Sequence, residues 1–134
     1  MAPGEFAANF DTTFLVDLRR GLPAAVAKAR AFDASGEPGC VTPPAAAEFL
    51  VAAHRIGGVA MARTRELLGS LIWLEMDRES CEEAGRIGAD LVSRGESIGA
   101  MDLLIAALSK RHGQRLVTRD QGFARVRGLA VETY

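Results

Sequence analysis

Short apolar runs alternate along the chain with longer stretches of helical periodicity. Asn9 to Asp11 closes a first strand, and Thr12 or Thr13 opens a helix whose inner stripe is Phe14, Leu15, Leu18 and Leu22. Gly36, Pro38 and Gly39 mark a turn before a second strand, Cys40 to Thr42. Pro43 and Pro44 suit the first turn of a helix, where a missing amide hydrogen costs nothing; that helix runs to about Arg55. Gly57 and Gly58 break it, and a further helix extends to about Leu68. Leu71 to Met76 is apolar enough for a third strand. Ser80, Ala84, Ile87 and Leu91 recur at helical spacing, with Glu79, Glu82 and Glu83 crowding the positive end of that helix dipole and Arg94-Gly95 closing it. Ile98 to Arg111 reads as another helix, Arg115 to Thr118 as a fourth strand and Leu129 to Val131 as a fifth. Strand alternating with helix predicts an α/β domain with a parallel sheet covered on both faces. In such sheets ligands bind beyond the carboxyl ends of the strands.

The 134 residues suit one domain, read as 8–134 behind a flexible tail of residues 1–7. Apolar residues make up 49% of the chain and charged residues 25%, a globular balance. Net charge is −1, so no global basic field advertises nucleic acid. Cys40 and Cys81 are far apart, with no Cys/His cluster, and read as two reduced thiols. The start of the chain lacks a secretory pattern and no apolar run reaches membrane-spanning length, so the expected location is the cytoplasm, away from any membrane.

Four acids stand out by their surroundings. Asp11 follows the first strand. Glu48 is the one charge in Ala45-Ala-Ala-Glu-Phe-Leu-Val-Ala-Ala53, and Asp102 the one charge in Met101-Asp-Leu-Leu-Ile-Ala-Ala-Leu108. Asp120 follows the strand Leu116-Val-Thr118. All four fall at, or just after, the carboxyl ends of expected strands. An isolated carboxylate on a mostly buried helix must be neutralised, hydrogen-bonded or paired. Several that converge repel one another, and the all-oxygen set suits Mg²⁺ or Mn²⁺ rather than zinc. Each acid also has a plainer reading: Asp11 and Asp102 as helix caps, Glu48 as a solvated gap, Asp120 as a turn residue.

These segments carry a family resemblance. Asp11-Thr-Thr-Phe-Leu-Val-Asp17, Pro44-Ala-Ala-Ala-Glu-Phe-Leu50, Ile98-Gly-Ala-Met-Asp-Leu-Leu-Ile-Ala-Ala107 and Leu116-Val-Thr-Arg-Asp-Gln-Gly-Phe123 resemble, in order, the four motif blocks of PIN domains of the VapC toxin type. Val126-Arg-Gly-Leu-Ala-Val-Glu132 is similar to the tail of that group. The resemblance implies a single PIN-like domain: a five-stranded parallel sheet flanked by helices, with an acidic Mg²⁺ or Mn²⁺ site that cleaves single-stranded RNA. It also implies a VapB-like antitoxin as partner and a homodimer. One departure stands at Gly122, where many relatives carry an acidic or polar residue.

On that reading Asp11 and Asp102 are direct ligands, Glu48 acts directly or through water, Asp120 completes the set, and Thr12 and Thr118 orient carboxylates or a water, with a turn or cap role as their plainer reading. Hydrolysis by an activated water leaves a 5′-phosphate and a 3′-hydroxyl. Arg119 and Arg125, near the last block, and Arg19-Arg20 are candidate phosphate contacts, arginine supplying 14 of the 16 basic residues. Trp73, in an apolar run, is expected in the core. The alternative is a non-catalytic PIN-like module that binds RNA or protein. A phosphoacceptor domain wants a lysine after a late strand, and Lys28 and Lys110 are not so placed. A dehalogenase-type phosphatase wants a second Asp two residues after the first, where Thr13 stands.

Overall fold

A computed structural model describes residues 8–134; the tail expected over residues 1–7 lies outside the described residues. Five strands form one parallel sheet: β1 (Ala8–Phe10), β2 (Gly39–Val41), β3 (Ile72–Trp73), β4 (Arg115–Val117) and β5 (Val131–Glu132), in the order β3-β2-β1-β4-β5. The helices are α1 (Thr12–Arg19), α2 (Pro23–Ser35), α3 (Pro43–Ile56), α4 (Val59–Gly69), α5 (Arg78–Ser93) and α6 (Ala100–Arg111). A 3-10 turn, Gln121–Arg125, follows β4.

The chain steps outward from β1 to β2 to β3, then returns past β1 to β4. Right-handed crossovers therefore put α1–α4 on one face and α5–α6 on the other. The two directions of travel diverge between β1 and β4, which is where an open α/β sheet leaves a crevice at its carboxyl edge. The central strand β1 is wholly buried, pairing Ala8 with Gly39 on one side and Asn9 with Leu116 on the other. The core around it holds Phe14, Phe49, Phe123, Leu15, Ile105 and Leu116, each 1% exposed or less.

The order and type of elements match the sequence pattern; boundaries and one helix differ. The stripe through Leu22 does not belong to one helix. Gly21 takes φ +74°, α1 stops at Arg19, and Pro23 opens a separate α2 that the periodicity had not distinguished. Leu22, between the two helices, is 42% exposed. The third strand shrinks to Ile72–Trp73, which pair with β2 (Cys40 opposite Ile72, Val41 opposite Trp73), and ends as the Leu74 amide donates to the Val41 carbonyl at 2.8 Å. Trp73 is not a core residue: on an edge strand it is 50% exposed, its indole Nε1 donating to the Leu68 carbonyl at 3.0 Å. The fifth strand shifts to Val131–Glu132, and α6 starts at Ala100 rather than Ile98. The start of α5 is closed by Asp77, which accepts from the Ser80 amide at 2.9 Å while Ser80 Oγ accepts from the Asp77 amide. The Ser80 hydroxyl, which donates to Asp77 Oδ1 at 2.8 Å, the Ser80 amide and Arg111 hold the Asp77 carboxyl down to about 2. Both cysteines are free; burial pushes the Cys40 thiol up to about 11, leaving it protonated and inert.

Gly39 shows how tightly the sheet is packed. A Cβ there would lie 2.6 Å from the Phe10 ring and 2.9 Å from Leu71. Gly39→Ala should therefore lower unfolding free energy by about 1–3 kcal/mol, the usual cost of overpacking, read from the midpoint of urea denaturation.

Candidate functional site

Asp11 ends β1 and stands at the N-cap of α1, yet its carboxylate makes no capping bond. It is 2% exposed, and its Oδ2 accepts from Thr118 Oγ1 at 2.7 Å and from Thr13 Oγ1 at 2.9 Å. Both hydroxyls thus engage one oxygen, and Oδ1 has no donor among the described residues. The plain capping role does not hold for Asp11: its carboxylate accepts from hydroxyls at the end of β4 and in the first turn of α1, not from a backbone amide of the helix.

Glu48 sits one turn into α3, whose N-cap is Thr42, the Thr42 hydroxyl accepting from the Ala45 amide at 3.3 Å. Glu48 Oε1 accepts from Thr12 Oγ1 at 2.8 Å, a bond that joins the first turns of α1 and α3. Asp120 is half a turn residue, as its plainer reading had it: Oδ1 accepts from the Gly122 amide at 2.9 Å. Its own amide donates to Thr118 Oγ1 at 3.0 Å. A Cβ on residue 122 would lie 3.1 Å from Asp120 Oδ1, close enough that the carboxylate would have to shift slightly.

Asp102 lies in the first turn of α6, behind Gly99, which has no side chain to cap with. Its carboxyl is pushed up to about 6, first by burial and then by the negative charges of Asp11, Asp120 and Glu48. Four acids separated by as many as 109 positions therefore share one electrostatic neighbourhood at the carboxyl edge of β1 and β4. Of the threonines named beside the acids, Thr12 Oγ1 donates to Glu48 Oε1 and Thr118 Oγ1 to Asp11 Oδ2. Thr13 was named only as a possible helix start. Its bond to Asp11 was foreshadowed by nothing beyond the doubled threonine after the acid.

Among the described residues, no three His, Cys, Asp or Glu side chains stand close enough to chelate an ion as they are placed. The negative charges of Asp11, Asp120 and Glu48 still act on Asp102 without being within chelating reach. The donor set remains all oxygen. His54 is exposed, and His112, at the far end of α6, bonds the Glu75 carbonyl at 2.7 Å. The arginines are partly committed elsewhere. Arg119 Nε bonds Asp17 Oδ2 at 2.6 Å, and Arg125 donates to the Ser97 carbonyl at 3.0 Å.

With this geometry in view, a family described as "PIN domain" matches residues 9–129. The chain belongs to the PIN domain family. The PIN fold explains the clustering of acids at the crevice between β1 and β4. Solved structures agree on the fold. One chain of the VapBC2 complex from Rickettsia felis, bound to a promoter DNA fragment, superposes with a TM-score of 0.86 at 18% identity, covering 96% of this chain and 98% of that one. A chain of DNA-bound VapBC from Salmonella typhimurium gives 0.82 at 21% identity, over 96% and 98%. VapBC-5 from Mycobacterium tuberculosis gives 0.69 at 23%, over 96% and 97%. A search of curated protein sequences finds no match. No helix among the described residues is long and apolar enough to cross a membrane.

Asp102 carries a testable consequence for the metal-free protein. Its carboxyl binds a proton more tightly folded (about 6) than at its ordinary value of 3.8. The folded state therefore holds the extra proton between those values, and stability falls as pH rises from about 4 to about 6. Asp102→Asn removes the charge. In EDTA the variant should melt a few degrees above the parent at pH 7–8, and the gap should close toward pH 4, read by thermal denaturation across pH.

Proposed function

We propose that this PIN domain is the toxin of a VapBC-type toxin–antitoxin pair, an endoribonuclease that hydrolyses single-stranded RNA with Mg²⁺ or Mn²⁺. The observation that carries the reading is the Asp102 carboxyl, raised by burial and by Asp11, Asp120 and Glu48 together. Like-charged groups gathered at one crevice call for a cation, and carboxylate oxygens without a histidine or thiolate match a hard divalent one. The resemblance of all four motif blocks, and the likeness of the fold to chains of VapBC complexes, support the same assignment.

Asp11 and Asp102 are the direct ligands in this proposal. Asp11 offers a buried, pre-oriented carboxylate with a free Oδ1, and Asp102 offers one with no competing hydrogen bond. Glu48 ligates directly or through water, and Asp120 uses Oδ2, since Oδ1 is taken by Gly122. Thr118 and Thr13 hold the Asp11 carboxylate and Thr12 holds Glu48, so those two acids are oriented in advance, while the set as a whole must draw closer to reach an ion. When bound, a divalent ion of this kind polarises a phosphate oxygen and acidifies a water. The protein contributes the crevice, the orientation of the acids and acceptors for the water's protons. Products should carry a 5′-phosphate and a 3′-hydroxyl.

A VapB-like antitoxin is the proposed partner, and a homodimer the proposed assembly. Val51, Ile56 and Val59, all 60% exposed or more on α3 and α4, are apolar surface available to a partner. The alternative is a PIN-like module without catalysis. The wide spacing of the acids is the observation in its favour.

Purified protein tests the choice. Mn²⁺ should raise the melting temperature and support cleavage of a single-stranded RNA, and EDTA should remove both effects. Asp11→Asn or Asp102→Asn should cut cleavage by at least about a hundredfold while the protein stays folded by circular dichroism. Full cleavage by either variant would falsify the site. Ion-independent RNA binding without cleavage selects the non-catalytic module.

A further inference from the structure

A second network lies beside the acids and is not itself part of them. Asp17, on α1, is 4% exposed, an unusual place for a carboxylate. Its Oδ2 accepts from Arg119 Nε at 2.6 Å and from the Tyr134 hydroxyl at 2.6 Å, and its Oδ1 accepts from Arg119 Nη2 at 3.3 Å. Burial alone would raise the Asp17 carboxyl, but the bonds from Arg119 and Tyr134 and the charges of Arg119 and Arg20 outweigh it and hold the group ionised. Tyr134 is held protonated, by burial first and then by its bond to Asp17, so its hydroxyl remains the donor. The Tyr134 ring packs edge-on against Phe14 of the same helix, centroids 5.0 Å apart.

Arg119 is the residue between Thr118 and Asp120. Its amide faces Thr13 Oγ1 at 3.4 Å, and Thr13 Oγ1 lies 3.2 Å from Thr118 Oγ1. The Asp17 cluster therefore grips the middle residue of the segment whose two neighbours orient Asp11 and carry Asp120. The far side of the cluster is tethered too, because β5 lies against β4, with the Thr118 amide donating to the Glu132 carbonyl at 3.0 Å.

We propose that Asp17, Arg119 and Tyr134 are positioning residues: a clamp in which the Tyr134 hydroxyl and the Arg119 guanidinium, meeting on one buried carboxylate, fix residues 118–120 and thereby the placement of Asp11 and Asp120. This assigns Arg119 to the protein rather than to RNA phosphate. The importance of that placement for an ion rests on the function proposed above; the clamp itself does not.

The test uses the full chain and reads both levels. Tyr134→Phe removes one hydroxyl and keeps the ring on Phe14; Asp17→Asn removes the charge that both donors share. In metal-free protein, amide hydrogen exchange at Asp120 and Gly122 should accelerate about tenfold in Tyr134→Phe, as for one charge-assisted hydrogen bond, and more in Asp17→Asn. The core amides of Phe10 and Leu116 should keep parental rates. Asp17→Glu, which keeps the charge, should recover part of the protection. Mn²⁺ affinity should fall about three- to tenfold in Tyr134→Phe. Unchanged exchange at 118–122 overturns the clamp. So does acceleration spread equally over Phe10 and Leu116, which marks a loss of global stability only. Failure of the parent protein to bind Mn²⁺ counts against the metal reading, while the exchange rates still decide the clamp.

Discussion

Repulsion among Asp11, Glu48, Asp102 and Asp120 is the constraint around which the rest of this molecule is organised. Each acid arrives on a different element, at the end of β1, in the first turns of α3 and α6, and just past β4. A parallel sheet with a crevice between β1 and β4 brings those points together whatever side chains they bear. Bringing carboxylates there costs free energy that apolar packing elsewhere must offset. At Asp102, which has no hydrogen-bond donor among the described residues, burial first and then the three neighbouring acids push the carboxyl up to about 6. Asp11 instead accepts from two hydroxyls, and Glu48 accepts from Thr12.

Threonine suits this task for a physical reason. A hydroxyl donates to a carboxylate without bringing a full countercharge, so it fixes an acid's rotamer while leaving its negative charge available. A lysine or arginine at the same positions would neutralise the acid and fill the space. The arginine that comes nearest in sequence, Arg119, is drawn off to Asp17 on the other side of the backbone. The fold thus keeps two kinds of carboxylate apart. Asp17 is buried and salt-bridged, spent on structure; the four acids of the crevice are hydrogen-bonded by neutral groups, or by none.

Much of this was legible in the sequence, because parallel sheets write themselves as alternating elements and because a lone Glu or Asp in an alanine- and leucine-rich helix is conspicuous. Glu48 and Asp102 were visible for that reason, and the roles of Thr12 and Thr118 followed from their places beside acids. What stayed hidden depends on partners distant in the chain. The convergence of Arg119 and Tyr134 on Asp17 spans 102 and 117 positions, and no local pattern encodes it. The break between α1 and α2 was lost because Leu22 continues the helical stripe, while the decisive feature is a left-handed glycine beside it. Trp73 was misplaced because apolar runs announce a strand without saying whether it lies at the centre or the edge of its sheet.

Charge gives the proposed chemistry its sharpest demand. The chain carries a net charge of −1, the crevice is lined with four acids, and Arg119 and Arg125, which flank the last of them, are engaged with Asp17 and with the Ser97 carbonyl. A phosphodiester approaching this edge meets repulsion from the very groups assigned to its hydrolysis. On the proposed reading the ion is then more than a chemical reagent: it reverses the local field, so that loading the ion and admitting the anionic strand become one thermodynamically linked event. A pocket built with its own lysines would bind RNA without the ion. The arrangement of Thr12, Thr13 and Thr118 instead keeps the acids oriented and unneutralised, a preference that makes physical sense for a site that waits for a cation before it accepts an anion.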